Sequence, residues 1–543
     1  FFSHPPPAPP DPLWSRGLGD VYKRQVLESI QGEVTEMSYR LTGSINSHYA
    51  TSFSRRVIAQ LSLFLHHYGI LTDKHLECRV LLQEVCVFFL KGNSIGFLCN
   101  SNIAVEAMFA IESSVGKMRG FRMTEIDLST YHPMDSEVQQ CPFAHYEALR
   151  NHGPIFFHEQ TGMFFASRLD IVNEIVRDTE TFSSQMSNTT TKPDAETLRE
   201  MTEIMSEGWP RAETMLTIDP PRHTAYRKLV SRTFSARRII ALEEKIREIA
   251  VDLIEAFPEK GTIDFHADFA VSFPVRVIHF ALNMAPEVQG KIKGWSDDAV
   301  AAIGNKLTHD EWIKATKGQL ENQKYWFSEY EKRLVDPQED VLSDLAHADF
   351  PDPDLPEGET RKLEFNEVYS IIQQLMVAGN ETTTKFLNET MRLLIEQPQW
   401  WEALENDPEG LAYGVVEEGL RMSSPNQGLF RVAAKDTEIQ GVKIPQGSRI
   451  WVIFAAANRD QQTFGDAESF DPTRENLKDH VAFGKGHHFC IGAPLSRLEG
   501  KVAFEELVKR IKLPSFSANN TFEYEPSFVL RGLAALELEI EKR

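Results

Sequence analysis

The stretch from Phe483 to Ala493, F-G-K-G-H-H-F-C-I-G-A, constrains this chain more than any other. Gly484 and Gly486 add no side-chain bulk and tolerate positive φ, so the segment can fold tightly against a flat partner. Cys490 follows in an apolar frame, with Gly492 at the opening of a helix. There a thiolate would meet backbone N–H donors and the positive end of the helix dipole, both of which favour its ionised form. The other cysteines, Cys78, Cys86, Cys99 and Cys141, are scattered without C-x-x-C spacing. Such a sparse set argues against a disulfide framework or a structural zinc site and fits a reducing compartment. Cys490 therefore needs an explanation of its own.

Three further motifs precede it. A-G-N-E-T-T, Ala378 to Thr383, falls near the middle of a long helical stretch. Its Ala378–Gly379 pair leaves room beside the helix, and Thr382 can loosen the turn by bonding back to a main-chain carbonyl. E-G-L-R, Glu418 to Arg421, puts opposite charges three residues apart on one helix face, with Arg474 in F-D-P-T-R as a later partner. A buried carboxylate between two guanidiniums requires bidentate hydrogen bonds. D-P-P-R-H-T-A-Y-R, Asp219 to Arg227, sets His223 and Arg227 one helical turn apart.

Taken together and in this order, the motifs resemble those of the cytochrome P-450 family, over roughly Cys141 to the C-terminus. The resemblance implies a mainly α fold with small β-sheets, in which a long central helix crosses the distal face of a buried haem b. It implies that Cys490 is the proximal iron ligand, whose electron push favours O–O cleavage. Phe483, Gly484 and Gly492 would frame that ligand, and Ala378 and Gly379 would leave space for dioxygen. Glu381 and Thr382 would be the acid–alcohol pair that relays protons. His223, Arg227, Arg431 (in L-F-R-V-A) and His488 would serve the two haem propionates, while His487 has no assigned partner. Glu418, Arg421 and Arg474 would be structural, positioning the cysteine loop.

The resemblance also implies a monooxygenase that hydroxylates or similarly oxidises a small lipophilic substrate. Trp209, Met215, Leu429, Phe430, Phe528 and Val529 would contribute to an apolar pocket. It is closest to the bacterial branch without a membrane anchor, served by a separate ferredoxin and its NAD(P)H-dependent reductase. Arg222, Lys228, Arg232, Arg237, Arg238 and Lys485 are candidate contacts for that partner. A peroxygenase and a non-catalytic haem sensor are the rivals. The Glu381–Thr382 pair speaks against the first, and the alcohol in the oxygen groove against the second.

The chain has 543 residues and a formal charge of −22, which disfavours broad attraction to nucleic acid or anionic lipid. No run reaches the ~18 apolar residues of a membrane span, and the Pro-rich opening lacks an apolar signal core, so a cytoplasmic enzyme is expected. Residues 1–122 lack sustained periodicity. They are expected to lie outside the catalytic domain at 123–543, as an upstream-translation or assembly scar, with a real accessory domain as the alternative. Helices are expected over 141–152, 221–233, 362–396, 408–422 and 490–511, a strand pair over 155–165 and short strands over 437–453.

Overall fold

The computed structural model describes residues 126–185, 191–233 and 236–543, so the expectation for 1–122 lies outside the described residues. The element on which the rest is built is the helix Phe365–Glu396, 32 residues long. Glu364 and Glu367 form a reciprocal capping box at its start, and it closes at Gln397, where Pro398 opens the next helix. Most of its side chains are buried on every face, as expected of a helix inside a domain rather than on its surface. Its buried polar groups are tied sideways. Asn380 donates to Ser296 at 2.8 Å, Thr384 donates to the Ala270 carbonyl at 2.9 Å, and Asn388 meets His266 at 2.8 Å.

Apolar packing divides along this helix. Its C-terminal half, through Phe386, Leu387 and Met391, packs with Val416 and Leu420 of the helix Pro408–Ser423 and with Phe504 and Leu507 of the helix Ala493–Arg510. Its N-terminal half, through Val368, Ile372 and Met376, packs with Tyr226, Trp295 and Trp326. A third cluster lies under a five-stranded sheet whose strands run side by side as Phe156–His158, Met163–Ala166, Arg449–Val452, Leu429–Ala433 and Phe182–Ser183. The expected strand pair is present, turning at Gly162 with φ +64°. The 437–453 region is a hairpin, Thr437–Ile439 with Val442–Ile444, followed by the strand Arg449–Val452.

The last long helix begins at Ala493 rather than Cys490. Cys490 to Gly492 form its lead-in turn, because Pro494 can sit in a first turn where no N–H partner is needed. The basic helix runs Arg222–Thr233, one residue inside the expected range.

Glu418 has no solvent exposure. It accepts two bonds from Arg421 at 2.7 and 2.8 Å, one from Arg474 at 2.8 Å and one from the Asp471 N–H at 2.9 Å. Arg421 also donates to the carbonyls of Asn458 and Ala467, each at 2.8 Å. Asn458 in turn accepts from the N–H of Val481, two residues before the cysteine loop. Glu418→Ala would strand two guanidiniums inside the protein and is expected to cost about 3–5 kcal/mol, measured by denaturant unfolding. A loss below about 1 kcal/mol, the range of an exposed pair such as Arg168–Asp170, would contradict this reading.

Candidate haem-thiolate site

The cysteine loop is built by its glycines. Gly484 and Gly486 have φ of +63° and +69°. A Cβ on Gly486 would lie 2.6 Å from the carbonyl oxygen of Val176, so this position excludes any side chain. The Cys490 N–H donates to the Phe483 carbonyl at 2.9 Å, which closes the loop on itself. Burial pushes the Cys490 thiol up, while the N–H groups of Gly492 and Ala493 and the Arg227 guanidinium pull it back. The expected helix-start donors are thus in place, but burial outweighs them and the net shift is upward. A metal cation at sulfur reverses that balance, since a coordinating thiol is deprotonated outright.

Beside the loop a group of donors converges, with Asp219 as the nearby carboxylate, whose oxygens accept from Ser183 and Ser184 and whose charge reaches His223 and Arg431. His223 is buried and neither ring nitrogen has a hydrogen-bond partner. Its ring lies 4.3 Å from that of His488, whose Nε2 meets the Ser184 hydroxyl at 3.0 Å. Arg431 is buried and makes no ion pair among the described residues. Its Nη1 donates to the Phe430 carbonyl at 2.7 Å and its Nε is unpartnered. Burial drops the Arg431 guanidinium to about 10. Burial and neighbouring cations drop His223 to about 4 and His488 to about 3, so both imidazoles are neutral near pH 7. Arg227 is half-buried and senses Cys490 electrostatically. His487 is exposed.

The long helix passes over the same region. Ile491, next to Cys490, and Val377, next to Ala378, pack against one apolar cluster. The cysteine helix meets the long helix at Gly500, where a Cβ would lie 2.7 Å from the Phe386 ring. Thr382 is half-buried and its hydroxyl donates back to the Ala378 carbonyl at 2.9 Å, as its position in the motif suggests. A Cβ on Gly379 would meet Ile278 at 3.2 Å. Glu381, expected as the acid of the acid–alcohol pair, is engaged by other groups. It is buried and held between Lys293 at 3.0 Å and Lys385 at 3.2 Å. Against the cost of burial, the two ammonium groups keep its carboxyl below the usual range.

The Cytochrome P450 family pattern matches residues 411–533. Cytochrome P-450 109 of Bacillus spizizenii is 32% identical over 372 residues, covering 68% of this chain and 84% of that protein. 6-Deoxyerythronolide B hydroxylase of Saccharopolyspora erythraea is 32% identical over 333 residues, covering 61% of this chain and 78% of that protein. The solved structure of CYP109E1 from Bacillus megaterium in complex with corticosterone superposes with a TM-score of 0.63 at 29% identity, over 74% of this chain and 99% of that one. The chain belongs to the cytochrome P-450 family.

Membership in the P-450 family implies haem and a monooxygenase, and the residues present fit that group. A flat macrocycle bearing two carboxylates would satisfy the unpartnered His223 nitrogens and the unpaired Arg431 while facing Cys490. A buried guanidinium without an ion pair, as at Arg431, would otherwise be costly, and the nearby Asp219 oxygens are taken up by Ser183 and Ser184.

The apolar residues expected around the substrate fall into two groups. Phe430 and Phe528 meet edge to face at 6.3 Å, and Phe528 meets Trp451 at 4.9 Å. Along the strand Leu429–Ala433, Phe430 points opposite to Leu429 and Arg431, so it faces this aromatic core rather than the donor side. Val529 is buried against Gly304. Trp209 stacks on Phe327 at 4.2 Å and, like Met215, belongs to the cluster around the start of the long helix.

Sequence reasoning missed Lys293, Lys385 and Ser184. Lys385 carried a readable signal, its i,i+4 spacing from Glu381. Lys293 and Ser184 are brought in only by the fold. It also missed Glu499, a buried carboxyl beside Thr383 that burial pushes well above the usual range.

Arg431→Leu separates a ligand-holding role from a structural one. The haem-free chain loses an unpaired buried charge, so its stability to denaturant is expected to hold or rise. Haem release is expected to quicken tenfold or more, since a hydrogen bond to a charged group is worth about 1.5–3 kcal/mol. A destabilised haem-free chain with unchanged haem release would overturn that assignment.

Proposed function

We propose that this P-450 binds haem b with Cys490 as its proximal ligand and hydroxylates a small lipophilic molecule. The electrons would come from a ferredoxin that is reduced through an NAD(P)H-dependent reductase. The observation that carries the reading is the convergence near Cys490 of four donors, of which His223 has no hydrogen-bond partner at either nitrogen and Arg431 makes no ion pair among the described residues. The net reaction takes substrate, dioxygen, two electrons and two protons to hydroxylated product and water. When bound, the haem supplies the redox centre at which dioxygen is activated.

The protein's own residues then have distinct tasks. The loop from Phe483 holds the sulfur in place through the main chain. His223, Arg227, Arg431 and His488 hold the propionates. Thr382 keeps its hydroxyl proton on the Ala378 carbonyl and can turn it toward the space left by Ala378 and Gly379. Glu381 is a carboxylate in its resting state, and a proton reaches the Thr382 side through it only when one of its lysine contacts loosens. The acid of this relay is thus tethered by two lysines.

A lipophilic substrate is supported by the apolar Leu429, which is partly exposed on the face of its strand opposite to Phe430. The corticosterone bound by the Bacillus megaterium relative is in keeping with this class. Among the candidate partner contacts, Arg222 is paired with Asp352 and Asp354, and Arg238 with Asp344. Lys485 is half-buried and donates to the Asp479 carbonyl. Lys228, Arg232 and Arg237 are exposed and remain the better candidates for docking an acidic ferredoxin. Among the described residues, no helix is long and apolar enough to cross a membrane. The catalytic domain is assigned to 123–543.

Cys490→Ala should abolish the thiolate-type Soret band of the ferrous carbonyl complex, and its persistence would refute the ligand. Thr382→Ala should retain haem while diverting most reducing equivalents to hydrogen peroxide, since losing a proton-transfer group slows its step by about 10²–10⁴-fold. An unchanged coupling ratio would refute the relay.

A further inference from the structure

Arg497 stands one helical turn into the cysteine helix and serves none of the tasks assigned above. Its Nε and Nη2 donate to the two oxygens of Glu417 at 2.6 and 3.0 Å, a bidentate pair. Glu417 has no solvent exposure, and its second oxygen also meets His480 Nε2 at 3.3 Å. The N–H of Ala482 donates to His480 Nδ1 at 3.1 Å, so that nitrogen is an acceptor and Nε2 carries the proton.

The guanidinium is not centred on its carboxylate alone. Its carbon lies 4.6 Å from the centroid of the Phe483 ring, a cation–π contact. Phe483 is also the residue whose carbonyl accepts the Cys490 N–H. The ring is thus held between Arg497 and the segment that carries the sulfur, and the charge of Arg497 is felt at Cys490. Arg497 keeps that charge at any working pH.

We infer that Arg497, stacked on Phe483 and pinned by Glu417, is a positioning residue that fixes the Cys490 loop and makes the haem bound there easier to reduce. This rests on Cys490 being the iron ligand. Reduction adds one electron, from an external donor, to a centre that already carries a thiolate. A fixed positive charge behind the thiolate favours that reduced state, and the carboxylate beyond it opposes it. The two partners should therefore act with opposite sign, whereas a merely structural clamp would fail the same way whichever partner is lost.

The test is an equilibrium redox titration of the haem-loaded full chain, followed optically, for the native protein and for Arg497→Gln, Arg497→Lys and Glu417→Gln. Arg497→Gln is expected to shift the one-electron equilibrium about tenfold against reduction, or ~59 mV. Arg497→Lys, which keeps the charge, should recover most of that shift. Glu417→Gln should move the equilibrium toward reduction. Coincident native and Arg497→Gln potentials, or shifts of the same sign in Arg497→Gln and Glu417→Gln, would overturn the inference. If Arg497→Gln fails to fold, Glu417→Gln and Arg497→Lys decide, and a Glu417→Gln shift against reduction overturns it. The ferrous carbonyl spectrum of the native protein separates the two layers. A band without thiolate character overturns the Cys490 assignment itself, while a thiolate band with unmoved potentials overturns only the role of Arg497.

Discussion

Glu418 carries its charge where no water reaches, and everything near the sulfur inherits its position from how that charge is met. Satisfying it recruits Arg421, Arg474 and the main chain at Asp471, and the remaining donors of Arg421 reach the carbonyls of Asn458 and Ala467. Chain segments distant in sequence are thereby locked together by a single requirement, that a desolvated carboxylate have its lone pairs filled. Asn458 passes the constraint to Val481, and from there the loop has little freedom before Phe483 turns back to accept from Cys490. The reactive sulfur is placed by main-chain bonds at the end of this sequence of contacts, not by its own side-chain packing.

The long helix shows how two adjacent residues can take unlike environments. Successive helical side chains diverge by about 100°. Thr382 sits half-buried with its hydroxyl on the Ala378 carbonyl, while Glu381 turns into the interior, where Lys293 and Lys385 meet it. An acid and an alcohol next to each other in sequence thus have wholly different partners, and the charge of Glu381 stays in a dry region on the side away from Thr382.

Much of this was legible in the sequence because it depends on local geometry. The glycines at 484 and 486 declared a turn that only they can make, and Glu418 with Arg421 declared a helix-face pair. The long helix announced itself by its apolar continuity. Its start was placed three residues early, because the N-cap Glu364 is not among the usual cap formers. The start of the cysteine helix was also placed early, since Cys490 to Gly492 form the turn ahead of it. What could not be read was lateral. Lys293 reaches Glu381 across 88 residues, and the pairing of Arg222 with Asp352 depends on a loop 130 residues away. Phe430 was grouped with Leu429 as a block, although alternation along a strand sends neighbours to opposite faces.

The donor group at His223, Arg227, Arg431 and His488 has a consequence for how the chain is made. Its members leave the ribosome far apart, and roughly 260 residues separate the first from the last. At about 5–20 residues per second, His223 waits on the order of 13–50 s before His488 and Cys490 exist to complete the site. Throughout that interval an early helix presents an imidazole and a guanidinium with nothing to meet them. With the cofactor held as proposed, the nascent protein would have a built-in delay between its first and last contacts with it, and capture of the porphyrin would fall among the final acts of its biogenesis.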